Sequence, residues 1–394
     1  MTNTGSGTIT GGENSDDGIR SLSGSRLFGA ERDGRGTRVR RVLFVELLGG
    51  LGDVLISLQA IQALARSHTE AWLTVLTFPP GGELLERDPL IHEVVQVPRP
   101  DPDHPHRARE AVEELLARGG WDLVVSDTSY DGIDVLIRAS SAPRVVTNLW
   151  QGPPPDERVG ERFLRILLSE GLISPEEISP SRLHLAPEER SAAADKLPDE
   201  RARRPLAFLL PDAGMEVKRW PEESWGTLGR ALTDHYGADV IVSAGSDPEQ
   251  ASRVARLIGN RARVCPRGTL RELAAALSHA DLAVGADTGP ARIASTLGVP
   301  TVTLFGPAWH GRYGQPPPHV NLQGHHGCPQ RIVSNFTQQP CWYAGTCTLE
   351  DPPWRTCVED ISVEDALATI APFLRVGGDS HATARRTYPH GGAP

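Results

Sequence analysis

Lysine is nearly missing from this chain. Of its 40 basic residues only Lys196 and Lys218 are lysines, and the other 38 are arginines. With 40 glycines and 33 prolines, this bias suggests a GC-rich coding sequence, and it makes each lysine informative. Long hydrophobic runs are missing too. None approaches the ~20 residues that cross a bilayer, so no integral membrane segment is expected. Residues 1–40 are rich in Gly, Ser, Thr, Asp and Arg and have no apolar core, so no secretory signal is expected. They read as a disordered arm, and 376–394 as a disordered tail. Positive charge is not in excess: a formal net charge of -10 argues against a general nucleic-acid binder. Cysteines number five, with no Cys-x-x-Cys pair among them. These absences imply a cytoplasmic protein, and 394 residues at 39% hydrophobic content suffice for two ordinary domains.

What is present begins with Glu46-Leu-Leu-Gly-Gly-Leu-Gly-Asp53. Before it, Arg41-Val-Leu-Phe-Val-Glu46 reads as a strand covered on both faces. After it, Val54, Leu58, Ile61 and Leu64 recur at helical spacing, so a helix is predicted from about Asp53 to residue 67. Gly49, Gly50 and Gly52 allow a tight strand-to-helix corner and close approach of a ligand or acceptor to the backbone. Two familiar readings of the corner fail. A dinucleotide fingerprint needs a third glycine where Leu55 stands, and a P-loop needs a lysine that is not there. What remains is a carboxylate, Asp53, at a helix N-terminus on the carboxyl edge of a parallel sheet, where open α/β sheets bind ligands. The plain alternative is that Asp53 caps its helix.

Strands then alternate with helices. Strands are predicted at 71–77, 94–97, 123–126 and 143–147, with a short helix around Leu84 and Leu85 and another at 107–118. Asp101-Pro-Asp103 looks like a metal-binding Asp-x-Asp, but its prolines favour a stiff surface loop. Around Pro205 the pattern restarts, with strands at 206–210, 238–243, 282–285 and 301–305 and helices at 221–236, 247–258, 269–278 and 290–297. The fold class is α/β, with two doubly wound Rossmann-like halves, 41–200 and 205–375, facing a cleft.

Two spots in the second half carry chemistry. Lys218 lies in the loop Leu210-Pro-Asp-Ala-Gly-Met-Glu-Val-Lys-Arg-Trp-Pro221, a compact ammonium suited to a phosphate group. Asp287-Thr-Gly-Pro290 joins a strand to a helix, so its first-turn amides can bind an anion. Thr288 adds a hydroxyl, Gly289 allows close approach, and Asp287 orients the loop or pairs with Lys218. Solvated lysine and simple N-cap are the competing readings.

Leu51-Gly-Asp53, Lys218-Arg-Trp-Pro221, Leu270-Arg-Glu-Leu273, Asp287-Thr-Gly-Pro290 and Leu304-Phe-Gly-Pro307 stand in the order found in glycosyltransferase family 9, the ADP-heptose heptosyltransferases and their relatives. The resemblance spans roughly 41 to 375. It implies a GT-B fold and inverting transfer from a nucleotide-diphosphate sugar, ADP-heptose by analogy, held by the second half. An acceptor glycan or small molecule would sit in the first half. By resemblance, Asp53 is the general base. Lys218, Asp287, Thr288 and Gly289 hold the donor diphosphate, and Gly50 and Gly52 shape the acceptor loop. A carboxylate at a helix N-terminus ionises easily, which makes Asp53 an available but modest base. No cofactor is required if Lys218 and the helix dipole carry the leaving-group charge.

Three departures from the family matter. Glu46 stands where a basic residue is usual, with Gly49 and Gly50 in place of serine-like residues. By like-charge repulsion this disfavours an anionic acceptor and favours a neutral or cationic one, such as an amino-sugar natural product. Arg292 stands where histidine is common, and Ala213-Gly-Met-Glu216 differs from the usual donor loop. Cys328, Cys341, Cys347 and Cys357 fall within thirty residues at gaps unlike a tight zinc pair. A structural zinc is one reading and reduced thiols the other. Trp309, His310, His325 and His326 flank them and read as loop residues. Two rival functions stay open: a nucleotide-sugar epimerase of GT-B fold, and a non-catalytic nucleotide-sugar-binding relative.

Overall fold

A computed structural model describes residues 38–151, 157–197, 204–352 and 354–374. Most of the expected arm, the tail, and the prolines at 153–155 and 198 lie outside the described residues. The first half holds β1 (Arg41–Val45), β2 (Trp72–Thr77), β3 (Glu93–Gln96), β4 (Leu123–Ser126) and β5 (Arg144–Val146). They form one sheet in the order β3-β2-β1-β4-β5, and every pairing in it is parallel. The second half holds β6 (Leu206–Leu210), β7 (Asp239–Ser243), β8 (Ala262–Cys265), β9 (Leu282–Ala286), β10 (Thr301–Phe305) and β11 (Val320–Gln323). Its parallel sheet runs β11-β10-β9-β6-β7-β8.

The central strands are apolar throughout because both faces are covered. Val42 and Phe44 of β1 join the core that includes Leu58 and Ile61 of the Leu51–Ser67 helix. Leu43 and Val45 face the other way, into the core with Val112 and Leu115 of the Arg107–Ala117 helix. In the second half Ala207 and Leu209 pack with Trp225, Leu228 and Leu232, a stripe on the Glu222–Tyr236 helix. Each such fully buried Leu or Phe contributes about 1.5–3 kcal/mol before entropy is counted.

Predicted and observed bounds differ by a residue or two for most elements. The unpredicted elements include β11, the Ile133–Arg138 helix and the Val363–Ile370 helix. Val320-Asn-Leu-Gln is a half-buried edge strand with no strong alternation. The last helix buries only Ala366 and Ile370 on the second core. Asp101 does sit on an exposed turn, accepting the Asp103 and His104 amides at 3.0 and 2.8 Å.

The two halves share one core cluster that runs from Val42 and Leu58 to Phe208 and Ile293. Arg271, within the Leu270-Arg-Glu-Leu273 segment, ties them together. Its guanidinium reaches Glu189 Oε1 and Oε2 at 2.5 and 2.6 Å, the His184 carbonyl at 3.0 Å and the Glu83 carbonyl at 3.3 Å. The Leu270–Leu277 helix that carries it has a full capping box. Thr269 Oγ1 accepts the Glu272 amide and Glu272 Oε2 accepts the Thr269 amide.

Candidate active site

β1 delivers its chain to the corner at Glu46. Gly49 then turns with φ +156°, a region that favours glycine, and an added Cβ there would lie 3.4 Å from Asp53 Oδ2. The helix begins at Leu51, two residues before Asp53, and Gly50 is its N-cap. Asp53 is therefore the third helical residue, and its Oδ2 accepts the Gly50 amide at 2.6 Å. It does half of a capping box and leaves Oδ1 free of that bond. The expectation that Asp53 ionises easily is overturned. Burial raises its pKa, and the Gly50 N–H with the charges of Arg292, Lys218 and Arg99 offset this only in part. The single helix-end amide is outweighed by loss of water.

Across the cleft, Lys218 ends a short turn, Glu216–Lys218, after β6. Its Nζ donates to Asp287 Oδ2 at 2.9 Å and to the Asp287 carbonyl at 3.1 Å. Two rings flank the ammonium, Phe336 at 5.2 Å and Trp342 at 5.6 Å. Lys218 is thus half-sequestered, not a solvated surface lysine, and the Lys218–Asp287 pairing read from the sequence is present. Arg292 Nη2 donates to Asp287 Oδ1 at 3.2 Å and also to the Tyr313 carbonyl. Burial alone would raise Asp287, but Lys218 and Arg292 outweigh it and leave the pKa lowered.

Thr288 is the N-cap of the Gly289–Thr296 helix, yet its hydroxyl does not bond to the helix; it reaches back to the Ala286 carbonyl at 3.4 Å. On its Cβ side Gly289 leaves no open space. A Cβ there would lie 2.3 Å from Leu51 Cδ2, so this glycine admits the first half's corner. Gly52 is matched in turn: a Cβ there would meet Arg292 Nε at 3.3 Å. The two strand-to-helix corners therefore pack directly on each other. That contact brings Asp53, Gly50 and Gly52 together with Lys218, Asp287, Thr288, Gly289 and Arg292.

Glu46 also departs from expectation. It is buried, with 1% exposure, and its Oε2 accepts a short hydrogen bond from Thr77 Oγ1. Burial, then the neighbouring Asp127 carboxylate, push its pKa well up. An ionised, acceptor-facing glutamate, the premise for repelling anions, is not what the structure holds.

Phe336 and Trp342 were missed because they lie on two short helical turns, Phe336–Gln338 and Pro340–Ala344, too short to show a periodic pattern. They stack at 4.7 Å, and Phe336 meets Tyr313 edge-on at 5.0 Å. No spacing signal marks them. Trp309, His310 and His326 instead pack on one another at 4.6 and 4.9 Å, while His325 packs on Trp354. Cys328, Cys341, Cys347 and Cys357 line one small cavity of about 20 Å³ together with Arg331. They are free thiols, with Cys357 buried and its pKa pushed up to about 12 by burial. Among the described residues no group of three or more His, Cys, Asp or Glu side chains is arranged to hold a metal ion.

With this geometry in hand, residues 161–337 match the family model described as glycosyltransferase family 9 (heptosyltransferase). The match covers 177 of the chain's 394 residues. It is 32% identical over 151 residues to lipopolysaccharide heptosyltransferase 1 of Pseudomonas aeruginosa, covering 37% of this chain and 41% of that protein. The match thus spans less than half the length of this curated relative. Over longer stretches the similarity is one of fold. A family 9 glycosyltransferase from Veillonella parvula superposes with a TM-score of 0.70 at 18% identity, covering 88% of this chain and 99% of the other. The ADP-heptose lps heptosyltransferase II of E. coli gives 0.60 at 15%, covering 84% and 98%. The architecture of this chain is accordingly GT-B. No helix among its described residues is long and apolar enough to cross a membrane.

Proposed function

We propose that this chain is an inverting family 9 glycosyltransferase that moves heptose from ADP-heptose to an acceptor hydroxyl in the cytoplasm. The observation that carries the reading is the packing of the two corners, which sets a half-buried base against a caged ammonium. In a single displacement the acceptor oxygen attacks the anomeric carbon while Asp53 takes its proton. The bond from that carbon to the diphosphate breaks on the far side. Negative charge then grows on the leaving nucleotide diphosphate. Lys218 is the cation positioned for it, and the first amides of the Gly289–Thr296 helix add donors. Asp287 and the Phe336 and Trp342 rings hold Lys218 in place until donor arrives. This chemistry uses no metal, because Lys218 and the helix end supply the positive charge. The E. coli relative's name, which includes ADP-heptose, supports the donor assignment by similarity.

For the acceptor we favour a glycan or small natural product that is neutral or cationic. The support is no longer repulsion by Glu46. It is the shortage of cations: the charged groups near Asp53 from the first half are Glu46, Asp127 and one arginine, Arg99. Rates with an anionic lipid-core acceptor and with an aminocyclitol decide it, and faster transfer to the anionic one removes the assignment.

An epimerase would need further acid and base groups around the sugar on the donor side. There the close groups are Lys218, Asp287 and Arg292, all committed to one another. The transferase reading is tested by Asp53→Asn. Transfer from ADP-heptose is expected to fall by about 10²–10⁴-fold, with donor binding by thermal shift retained. Unchanged turnover removes Asp53 as the base.

A further inference from the structure

Glu46, Asp127 and Thr77 stand in one row across three strands. β1 pairs with β4 in the register Val45↔Ser126 and with β2 in the register Val45↔Leu76. One residue further on, Glu46 is flanked by Asp127 on one side and Thr77 on the other, with all three side chains on one face. The backbone continues the ladder past the strand ends. Asp127 N donates to the Val45 carbonyl at 3.1 Å and Glu46 N to the Leu76 carbonyl at 2.9 Å. Each carboxyl group has one oxygen spoken for. Glu46 Oε2 accepts from Thr77 Oγ1, and Asp127 Oδ1 accepts the Leu47 amide at 3.1 Å. The other two oxygens, Glu46 Oε1 and Asp127 Oδ2, are buried without any partner. Glu46 is 1% exposed and Asp127 is fully buried.

Two ionised carboxylates side by side, each with an orphaned buried oxygen, are a costly arrangement. A single proton removes both difficulties, because one carboxyl O–H then donates to the other group's unpartnered oxygen. We propose that Glu46 and Asp127 share one proton, and that the negative charge left on the pair makes the neighbouring Asp53 a stronger base. The pair is a positioning element and does not touch the substrate. Burial raises the pKa of both residues, and a neighbouring carboxylate adds to it, Asp127 at Glu46 and Asp53 at Asp127.

The charged and titratable groups around the pair come from every neighbouring element. Asp53 faces it from the Leu51–Ser67 helix, Arg99 from the loop after β3, and Tyr130 from the loop after β4. From the second half, Lys218 and Arg292 act on Asp53. Three cations thus favour an ionised Asp53. The pair's residual charge opposes them, and this keeps the proton affinity of Asp53 high enough for a base.

The inference about basicity rests on Asp53 being the base, but its test does not need turnover. Infrared spectra of the full chain in D2O resolve a protonated carboxyl by its C=O stretch. The wild type is expected to show one such band at neutral pH, absent from both Glu46→Gln and Asp127→Asn, because either amide can donate to the remaining carboxylate. Both single variants keep one negative charge, so the Asp53 titration, isolated by subtracting the Asp53→Asn spectrum, stays where it was. The double variant carries no charge there, and the Asp53 titration is expected to move down by about one pH unit, a roughly tenfold loss of proton affinity. Absence of the band in the wild type, its survival in either single variant, or an unmoved Asp53 in the double variant overturns the proposal. Should the double variant not fold, the band in the wild type and the two singles still decides the shared proton. A chain that transfers no sugar but passes these spectral tests would refute the transferase reading alone.

Discussion

Asp53 and Asp287 invite comparison. Each lies on a strand-to-helix corner at the carboxyl edge of a parallel sheet, one in each half, and each is shielded from water. Their proton affinities nevertheless move in opposite directions, Asp53 up and Asp287 down. The difference lies in contact. Asp287 has Lys218 at 2.9 Å and Arg292 at 3.2 Å, while Asp53 has one backbone amide and feels the same two cations only from a distance. A buried carboxylate with cations in contact becomes a fixed anchor. One without them is left able to take a proton.

Exchanging the two chemistries should break this contrast. Asp53→Asn gives the largest effect, the loss of about 10²–10⁴-fold in transfer already described, whereas Asp287→Asn is expected to act mainly through Lys218. Next comes Lys218→Ala, which removes the cation aimed at the leaving group. It should lower kcat by about 10²–10³-fold at saturating ADP-heptose, read by steady-state kinetics. Gly289→Val drives a side chain into Leu51 and separates the corners. A loss of about tenfold to a hundredfold in kcat/KM is expected, with near-normal circular dichroism.

The pH dependence of stability gives the smallest effect and the clearest sign. Glu46, Asp53 and Asp127 have raised folded pKa values, so the stability they contribute while protonated is lost as pH rises through those values. Asp287 is lowered, so its contribution is present above the ordinary carboxylate pKa and lost only in stronger acid. Thermal melts from pH 5 to pH 8 should show Tm falling by a few degrees. Glu46→Gln with Asp127→Asn should flatten that slope, and Asp287→Asn should leave it unchanged.

Much of this was legible in the sequence because it is written in local pattern. The runs at 41–46, 206–210 and 301–305 are short and mostly apolar or β-branched, so their strands follow from local pattern. The rarity of lysine singled out Lys218. Three things were not legible. The proton affinity of Asp53 depends on how much water the second half removes, which no local stretch records. The role of Gly289 depends on Leu51, 238 positions away in the chain. The Phe336 and Trp342 rings, and the Asp127 partner of Glu46, become neighbours only through folding and strand register. Glu46 was noticed for its charge, but burial changes what that charge is.

The packing of two corners into one reaction site is tested most directly by the structure of this chain with a non-transferable ADP-heptose analogue. The diphosphate should lie against Lys218 and the Thr288–Gly289 turn, with Lys218 drawn from Asp287 toward it, and the anomeric carbon should face Asp53 with room for one hydroxyl between them. A donor bound away from Lys218, or an anomeric carbon turned from Asp53, would contradict it.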